Sequence, residues 1–213
     1  MNTAIILAAG LSNRFNRSTP KQFLKLNGKM LIEYSVEKFL KNKNIEQIII
    51  VTQKKYIHSI KNIFNTCKVI EGGKTRQESS LLGLKACSAL TKNVLIHDAA
   101  RPFVSDKIIN ECIDELKNNL CVCPALPCTD TIAKIQSNYI SKVLDRSLLY
   151  KLQTPQSFDY QVLYDCHRKV KENFTDDVSI VQKYGHKCKI IEGSKKNLKV
   201  TYKKDIKYLD MLI

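Results

Sequence analysis

No stretch of this 213-residue sequence approaches the roughly 18 consecutive apolar residues of a membrane-spanning helix. The apolar opening Thr3–Ala9 has no positively charged stretch before it and runs straight into Gly10-Leu-Ser-Asn-Arg14. It therefore reads as a first buried strand and not as a secretory leader. Cysteine pairs at C-x-x-C spacing are missing too, although the chain has eight cysteines. Cys121 and Cys123 are one residue apart, and no histidine stands at ligand spacing to them. Zinc and disulfide frameworks are set aside, and free thiols packed as small hydrophobes remain, in keeping with a reducing cytoplasm. Acidic residues are scarce: 20 Asp and Glu face 35 Lys and Arg, a net charge of +15. That balance favours anionic partners, whether nucleic acid, a membrane surface or a phosphorylated small molecule. The excess is mostly lysine spread along the chain, with no interleaved aromatics, no helix-turn-helix and no zinc signature. A basic solvated surface is the better reading than a nucleic-acid face, and no membrane partner is expected.

The composition is otherwise that of an ordinary globule, 44% hydrophobic and 26% charged. A chain of this length buries ~70% of its unfolded surface and needs no metal or disulfide staple, so one domain over 1–213 is expected. Apolar, β-branched runs at Thr3–Ala8, Gln47–Thr52, Cys67–Glu71, Asn93–His97 and Leu120–Cys123 read as strands, the last half-buried by its alternation. Helical spacing lies between them at Met30–Leu40, Arg76–Leu90 and Ser105–Leu116, with Ser105 as N-cap. It returns after Tyr160, over Asp176–Tyr184 with Gly185 as a stop, and in the last ten residues (Ile206, Leu209, Leu212, Ile213); Lys187–Glu192 reads as a further strand. Strands alternating with helices predict an α/β fold, a Rossmann-like, doubly wound, mostly parallel sheet. The rhythm breaks between Pro124 and Ser157. Thr131–Ile135 and Tyr139–Leu144 flank the turn Gln136-Ser-Asn138, a hairpin with no helix to cover it, predicting a projecting β-arm over 127–148.

Chemistry concentrates in a few clusters. A strand ending in Ala8-Ala-Gly10 lets the chain turn tightly, so that the N–H groups of Ala9 and Gly10 can approach phosphate oxygens. G-x-G-x-x-G and G-x-x-x-x-G-K-[ST] are both absent, which excludes a dinucleotide fingerprint and a Walker loop. Arg14 and Lys21, the latter in Pro20-Lys-Gln22, add the charges a triphosphate requires. His97-Asp98 ends an apolar strand, at the edge where open α/β sheets bind ligands. A carboxylate there can hold Mg²⁺ against phosphate oxygens, or simply accept loop hydrogen bonds. Gly72-Gly73 follows a strand and precedes a helix, where backbone groups can face a base edge.

In order along the chain stand Ala8-Ala-Gly-Leu-Ser-Asn-Arg14, Pro20-Lys-Gln22, Gly72-Gly-Lys-Thr-Arg76 with Ser79, His97-Asp-Ala-Ala-Arg-Pro102, Asp130-Thr131, Asp145-Arg146, Gln153-Thr-Pro-Gln156, Thr175-Asp-Asp177 and Asn197-Leu-Lys-Val-Thr201. From Thr3 to the C-terminus this resembles the 2-C-methyl-D-erythritol 4-phosphate cytidylyltransferases. The resemblance implies CTP and a phosphorylated polyol as substrates, Mg²⁺ as cofactor and a cytoplasmic homodimer. It assigns Arg14, Lys21, Arg146 and Lys199 to catalysis and Asp98 to the metal. Ala8, Ala9, Gly10, Gly73, Lys74, Arg76, Ser79, Ala99, Arg101, Thr131 and Thr154 fall to ligand binding. Gly73, Lys74 and Ser79 would frame the cytosine, with Arg76 supporting their loop. Thr131, Arg146 and Thr154 would bind the acceptor phosphate across a dimer interface, and His97 is structural. Ser12, Phe15 and Lys196 depart from residues common in the family, and Lys196 leaves Asp98 and phosphates alone to hold the metal. Fused relatives carry a downstream cyclase, for which this chain leaves no room. Ribitol-5-phosphate cytidylyltransferase is the nearest alternative, since both acceptors are phosphorylated polyols.

Overall fold

The computed structural model describes residues 1–11 and 19–210, of which 203, 207, 208 and 210 are described in backbone only. Arg14 lies outside the described residues, as do Ser12, Phe15, Leu212 and Ile213. Twelve strands are described: β1 (Asn2–Ala8), β2 (Lys25–Leu26), β3 (Lys29–Met30), β4 (Gln47–Thr52), β5 (Lys68–Glu71), β6 (Asn93–Asp98), β7 (Cys121–Pro127), β8 (Ala133–Gln136), β9 (Tyr139–Val143), β10 (Tyr150–Leu152), β11 (Gln156–Asp159) and β12 (Lys189–Glu192). The α-helices are α1 (Leu31–Lys41), α2 (Ile57–Ile63), α3 (Arg76–Lys85), α4 (Asp106–Glu115), α5 (Tyr160–Lys169), α6 (Asp177–Lys183) and α7 (Lys203–Asp210).

Eight strands form one sheet in the order β10-β7-β11-β6-β1-β4-β5, with β12 also on β7. β1, β4, β5 and β6 run parallel, as do β7 and β12. Only β10 and β11 are antiparallel to their neighbours. The sheet is covered on both faces. Ile6, Ile50 and Leu95 pack with α1, α2 and α4 residues such as Val36, Ile60 and Ile109, while Ile5, Ile49 and Ile96 pack with Leu84 of α3, Leu163 of α5 and Val181 of α6. Burial on both faces explains the continuous apolar runs of the parallel strands. It also corrects the half-buried reading of β7: Cys121 and Cys123 face one layer and Val122 the other, all fully buried.

Local signals explain most boundaries. Ser105 caps α4, its Oγ accepting from the Ile108 N–H at 3.3 Å, and Asp176 caps α6 through the Ser179 N–H at 2.9 Å. The helix expected over Arg76–Leu90 stops at Lys85, leaving Leu90 in solvent. The arm is a two-stranded ribbon, β8 on β9, separate from the main sheet. Ser137 and Asn138 at its tip both have positive φ (49° and 67°), the turn whose twist suits a hairpin. Thr131 precedes β8 instead of lying within it. The chain runs from β1 to β4 and β5 on one side, then returns to β6 on the other side of β1. The crevice above that reversal, outside the strands' carboxyl ends, is where such sheets bind ligands.

Candidate active site

A cleft of ≈ 590 Å³ opens at this reversal. Ala9 and Gly10 after β1, Gln53 and Lys54 after β4, Gly72 to Arg76 after β5, and Asp98 and Ala100 after β6 supply its walls, joined by Lys21 and Lys199. Four strand ends thus contribute one wall each. The β5 loop can close on the β1 turn because residue 72 is glycine: a Cβ there would lie 2.4 Å from the Ala9 Cβ. The turn itself is held by Gln22, whose amide donates to Ala8 O at 2.6 Å and Gly10 O at 2.9 Å.

Charge is organised around Asp98. Its Oδ2 accepts from Lys199 Nζ at 2.6 Å, and its Oδ1 lies 3.5 Å from Arg76 Nε. Arg76 is in turn anchored by Asp177, Nη1 to Oδ2 at 2.6 Å. Asp177 is wholly buried; its Oδ1 also meets Ser80 Oγ at 2.7 Å and His167 Nε2 at 2.9 Å. Burial alone would raise the pKa of Asp98, but Lys199, Arg76 and Arg101 outweigh it and hold the carboxyl well below the usual range. Asp177 behaves alike: burial opposes ionisation, and Arg76 with the His167 and Ser80 hydrogen bonds overrides it. Burial works against the Arg76 cation, yet Asp177 and Asp98 keep it charged, its pKa raised. The site therefore presents fixed charges of both signs at neutral pH.

A second layer supports Asp98. His97 is buried, which pushes its pKa down to about 4 and leaves the ring neutral. Its Nε2 lies 3.0 Å from Arg101 O, an acceptor only, so Nε2 carries the proton and Nδ1 accepts from the Thr154 hydroxyl at 3.0 Å. The same hydroxyl accepts from the Asp98 N–H at 3.2 Å. Arg101 donates to Asn197 O at 2.7 Å, and the Asn197 amide donates to Thr154 O at 2.8 Å. With the Val200 N–H on Ala100 O at 2.9 Å, these bonds hold the segment that carries Lys199.

Several residues thus sit differently from the ligand contacts expected of them. Ala99 is buried with both backbone groups engaged, its N–H on Leu7 O and its O accepting from Ser35, so Ala100 lines the cleft in its place. Ala8 is buried as well, and its carbonyl is taken by Gln22. Thr154 and Arg101 border a smaller cavity of ≈ 200 Å³ beside Asp98. Neither belongs to the arm, and each acts on the site by holding its neighbours. The N–H groups of Gly73 and Lys74 are satisfied internally, by Ser79 Oγ at 3.1 Å and Glu78 Oε2 at 2.6 Å. Thr131 and Arg146 are exposed on the arm and line neither cavity of their own chain; Arg146 donates to Thr129 O at 3.1 Å. Gln53 and Lys54 line the cleft without any sequence signal, and His167 escaped notice because a lone histidine on a helix marks nothing. Among the described residues no three His, Cys, Asp or Glu side chains converge as a metal-binding group, and no helix is long and apolar enough to cross a membrane.

A small-residue turn, a glycine loop and converging lysine and arginine charges at the carboxyl edge of the parallel strands are those of a nucleotidyltransferase of the α/β class. The family model for 2-C-methyl-D-erythritol 4-phosphate cytidylyltransferase matches residues 2–213. The 2-C-methyl-D-erythritol 4-phosphate cytidylyltransferase of Thermosipho melanesiensis is 42% identical over 216 residues, covering 97% of this chain and 95% of its own. The bifunctional enzyme IspD/IspF of Pelagibacter ubique is 40% identical, covering 98% of this chain and 56% of its own. Among solved structures, the 4-diphosphocytidyl-2C-methyl-D-erythritol synthase of Anaerococcus prevotii superposes with a TM-score of 0.89 at 28% identity, over 99% of this chain and 95% of that one. The chain belongs to the 2-C-methyl-D-erythritol 4-phosphate cytidylyltransferase family.

Proposed function

We propose that this enzyme transfers CMP from CTP to 2-C-methyl-D-erythritol 4-phosphate, giving 4-diphosphocytidyl-2-C-methyl-D-erythritol, an isoprenoid precursor, and pyrophosphate. The observation that carries this reading is the meeting of Asp98, Lys199, Arg76 and Lys21 around the Ala9-Gly10 turn in one cleft. The acceptor phosphate has a second pKa of roughly 6, by analogy with phosphorylated side chains, so it is already a nucleophilic dianion at neutral pH. One of its oxygens bonds to the α-phosphorus as the bond from that phosphorus to the β-phosphate bridging oxygen breaks. The electron pair leaves with pyrophosphate. No side chain need take a proton, which suits a site whose one histidine near the acid, His97, is buried and neutral.

The obstacle is repulsion between two anions, and fixed cations remove it. Lys21 lines the cleft together with the Ala9-Gly10 turn, where it would face the phosphates. Lys199 and Arg76 stand at Asp98, where the acceptor phosphate would enter beside the smaller cavity. Arg14, from the same motif as the turn, belongs with Lys21 in this assignment. Mg²⁺ takes few protein ligands when phosphates supply the rest, and the single ionised Asp98 fits that mode. When bound it would neutralise phosphate charge. The eight unpaired thiols favour a reducing, cytoplasmic setting. Pyrophosphate release with 2-C-methyl-D-erythritol 4-phosphate and with ribitol 5-phosphate in turn tests the acceptor. A preference for the first of at least tenfold in kcat/KM is expected, and a preference for ribitol 5-phosphate overturns the acceptor while keeping the reaction.

The arm is assigned to a second copy of the chain. Tyr139 (79% exposed), Ile140 (68%) and Ile135 (60%) form apolar surface on a two-stranded ribbon, which does not hold in water alone. A two-fold partner offering the same arm is the simplest cover. It would also bring Thr131 and Arg146 to the neighbour's cleft. Mixing inactive Lys21→Ala and Arg146→Ala chains then gives dimers with one doubly damaged site and one intact site. Activity is expected to return to roughly a quarter of wild type at statistical exchange. No recovery despite demonstrated subunit exchange would return Thr131 and Arg146 to their own chain.

A further inference from the structure

The three carbonyl groups of Ala8, Ala9 and Gly10 follow one another at the edge of the nucleotide cleft. Each is taken by a side-chain amide. Gln22 Nε2 donates to the first and third, and Gln53 Nε2 donates to Ala9 O and Gly10 O, both at 3.2 Å. Carbonyl oxygens only accept, so the NH₂ end of each glutamine must face the turn. The consequence is electrostatic. A carbonyl dipole with its oxygen toward a triphosphate repels it, whereas oxygens already engaged by amide donors repel it less and leave the turn to offer its N–H groups. The two glutamines come from different segments: Gln22 lies within the 3₁₀ turn Lys21–Phe23, and Gln53 leads into the 3₁₀ turn Lys54–Tyr56. Those turns are joined by a ring stack, Phe23 on Tyr56, with centroids 3.7 Å apart and planes at 27°. Gln53 itself lines the cleft.

We propose that Gln53 is a positioning residue for CTP: together with Gln22 it holds the carbonyl side of the Ala8–Gly10 turn, and the stack of Tyr56 on Phe23 sets the spacing of the two amides. This rests on the triphosphate binding at that turn, the functional reading given above. Gln53 acts through the backbone and touches no reacting atom, so its loss shows in nucleotide binding ahead of the chemical step.

Steady-state kinetics of the full chain, varying CTP and the phosphorylated acceptor separately, test this for Gln53→Ala, Gln53→Glu and Tyr56→Ala. Gln53→Ala is expected to raise KM for CTP roughly five- to tenfold, the loss of a hydrogen bond's worth of binding, with kcat and the acceptor KM within about twofold. Gln53→Glu cannot donate and sets a negative charge against the two carbonyls of Ala9 and Gly10, so its CTP KM rises further, by on the order of thirtyfold. Tyr56→Ala should reproduce the Gln53→Ala pattern more weakly. Thermal melting of each variant separates positioning from folding. An unchanged CTP KM in both Gln53 variants overturns the inference. So does an equal rise in both KM values accompanied by a fall in Tm. Wild type is run in every series: flat variants on an active wild type defeat this inference alone, whereas a wild type that consumes no CTP defeats the functional reading and this inference with it.

Discussion

Lys21→Ala is expected to lower kcat by ~10²-fold or more at saturating CTP, with a smaller change in the KM for CTP. Lys21 follows Pro20 and opens a short 3₁₀ turn whose next two residues, Gln22 and Phe23, are buried. Gln22 is bonded to the Ala8–Gly10 turn and Phe23 is stacked on Tyr56. The lysine therefore lines the cleft from a backbone that its two neighbours hold in place. A preorganised charge of this kind acts most on the state in which charge builds up, as the bond to pyrophosphate breaks. Pyrophosphate release at saturating CTP measures it. A variant with wild-type kcat and only a raised CTP KM would make Lys21 a binding residue, and the transition-state role would pass to other cations.

Asp177→Ala is expected to destabilise the fold by about 3–5 kcal/mol, since it takes from the Arg76 guanidinium the closer of its two carboxylate partners and from Ser80 and His167 their shared buried acceptor. For a chain of this size that corresponds to a fall in Tm of roughly 6–20 °C. Asp177 gathers Arg76, Ser80 and His167 at distances of 2.6 to 2.9 Å. Its N–H is taken by Gln156 Oε1 at 2.9 Å. Asp177→Asn keeps the size and part of the bonding while removing the charge, so a smaller loss is expected. The sign of the pH dependence follows from the depressed pKa. A carboxyl held below its unfolded value stabilises fully above that value, near pH 4, and progressively less as pH falls toward the folded-state pKa. Urea unfolding of wild type and Asp177→Asn should thus differ most at neutral pH and converge in acid. A gap that stays constant down to pH 3 would mean that the ion pair is not its source.

How much of this was legible in the sequence depends on where polarity is buried. β1, β4 and β6 announce themselves because both faces are covered and their central residues form unbroken apolar runs. β11 does not, because its Gln156 and Ser157 are polar yet buried, and Gln156 serves the α6 backbone. The short α2 buries only Ile60 and so left no stripe to read. In the site, Asp98 was readable from its place at the end of an apolar strand. The engagement of both Ala99 backbone groups was not readable, because a motif names neighbours without saying which backbone groups are already bonded. Asp177 stood in a quoted motif, but its partnership with Arg76 joins residues 101 positions apart, beyond any local pattern.

The strand that leaves the arm has a consequence for how this chain can change length. Tyr150 to Leu152 pair with Pro127 to Ala125, the Gln153 N–H bonds Pro124 O at 2.8 Å, and Gln156 already pairs with Ile96. Between these fixed points Thr154 must point at His97. Residues 153–155 bridge two strands whose pairing is fixed at both ends, so one inserted or deleted residue here would displace Thr154 from His97 and Gln153 from the segment that carries Lys199. The exposed turn at Ser137-Asn138 bears no such constraint. Insertions and deletions in a lineage descending from this chain are tolerated at the tip of the arm and purged at its root, so the arm can lengthen while residues 150–156 keep their count.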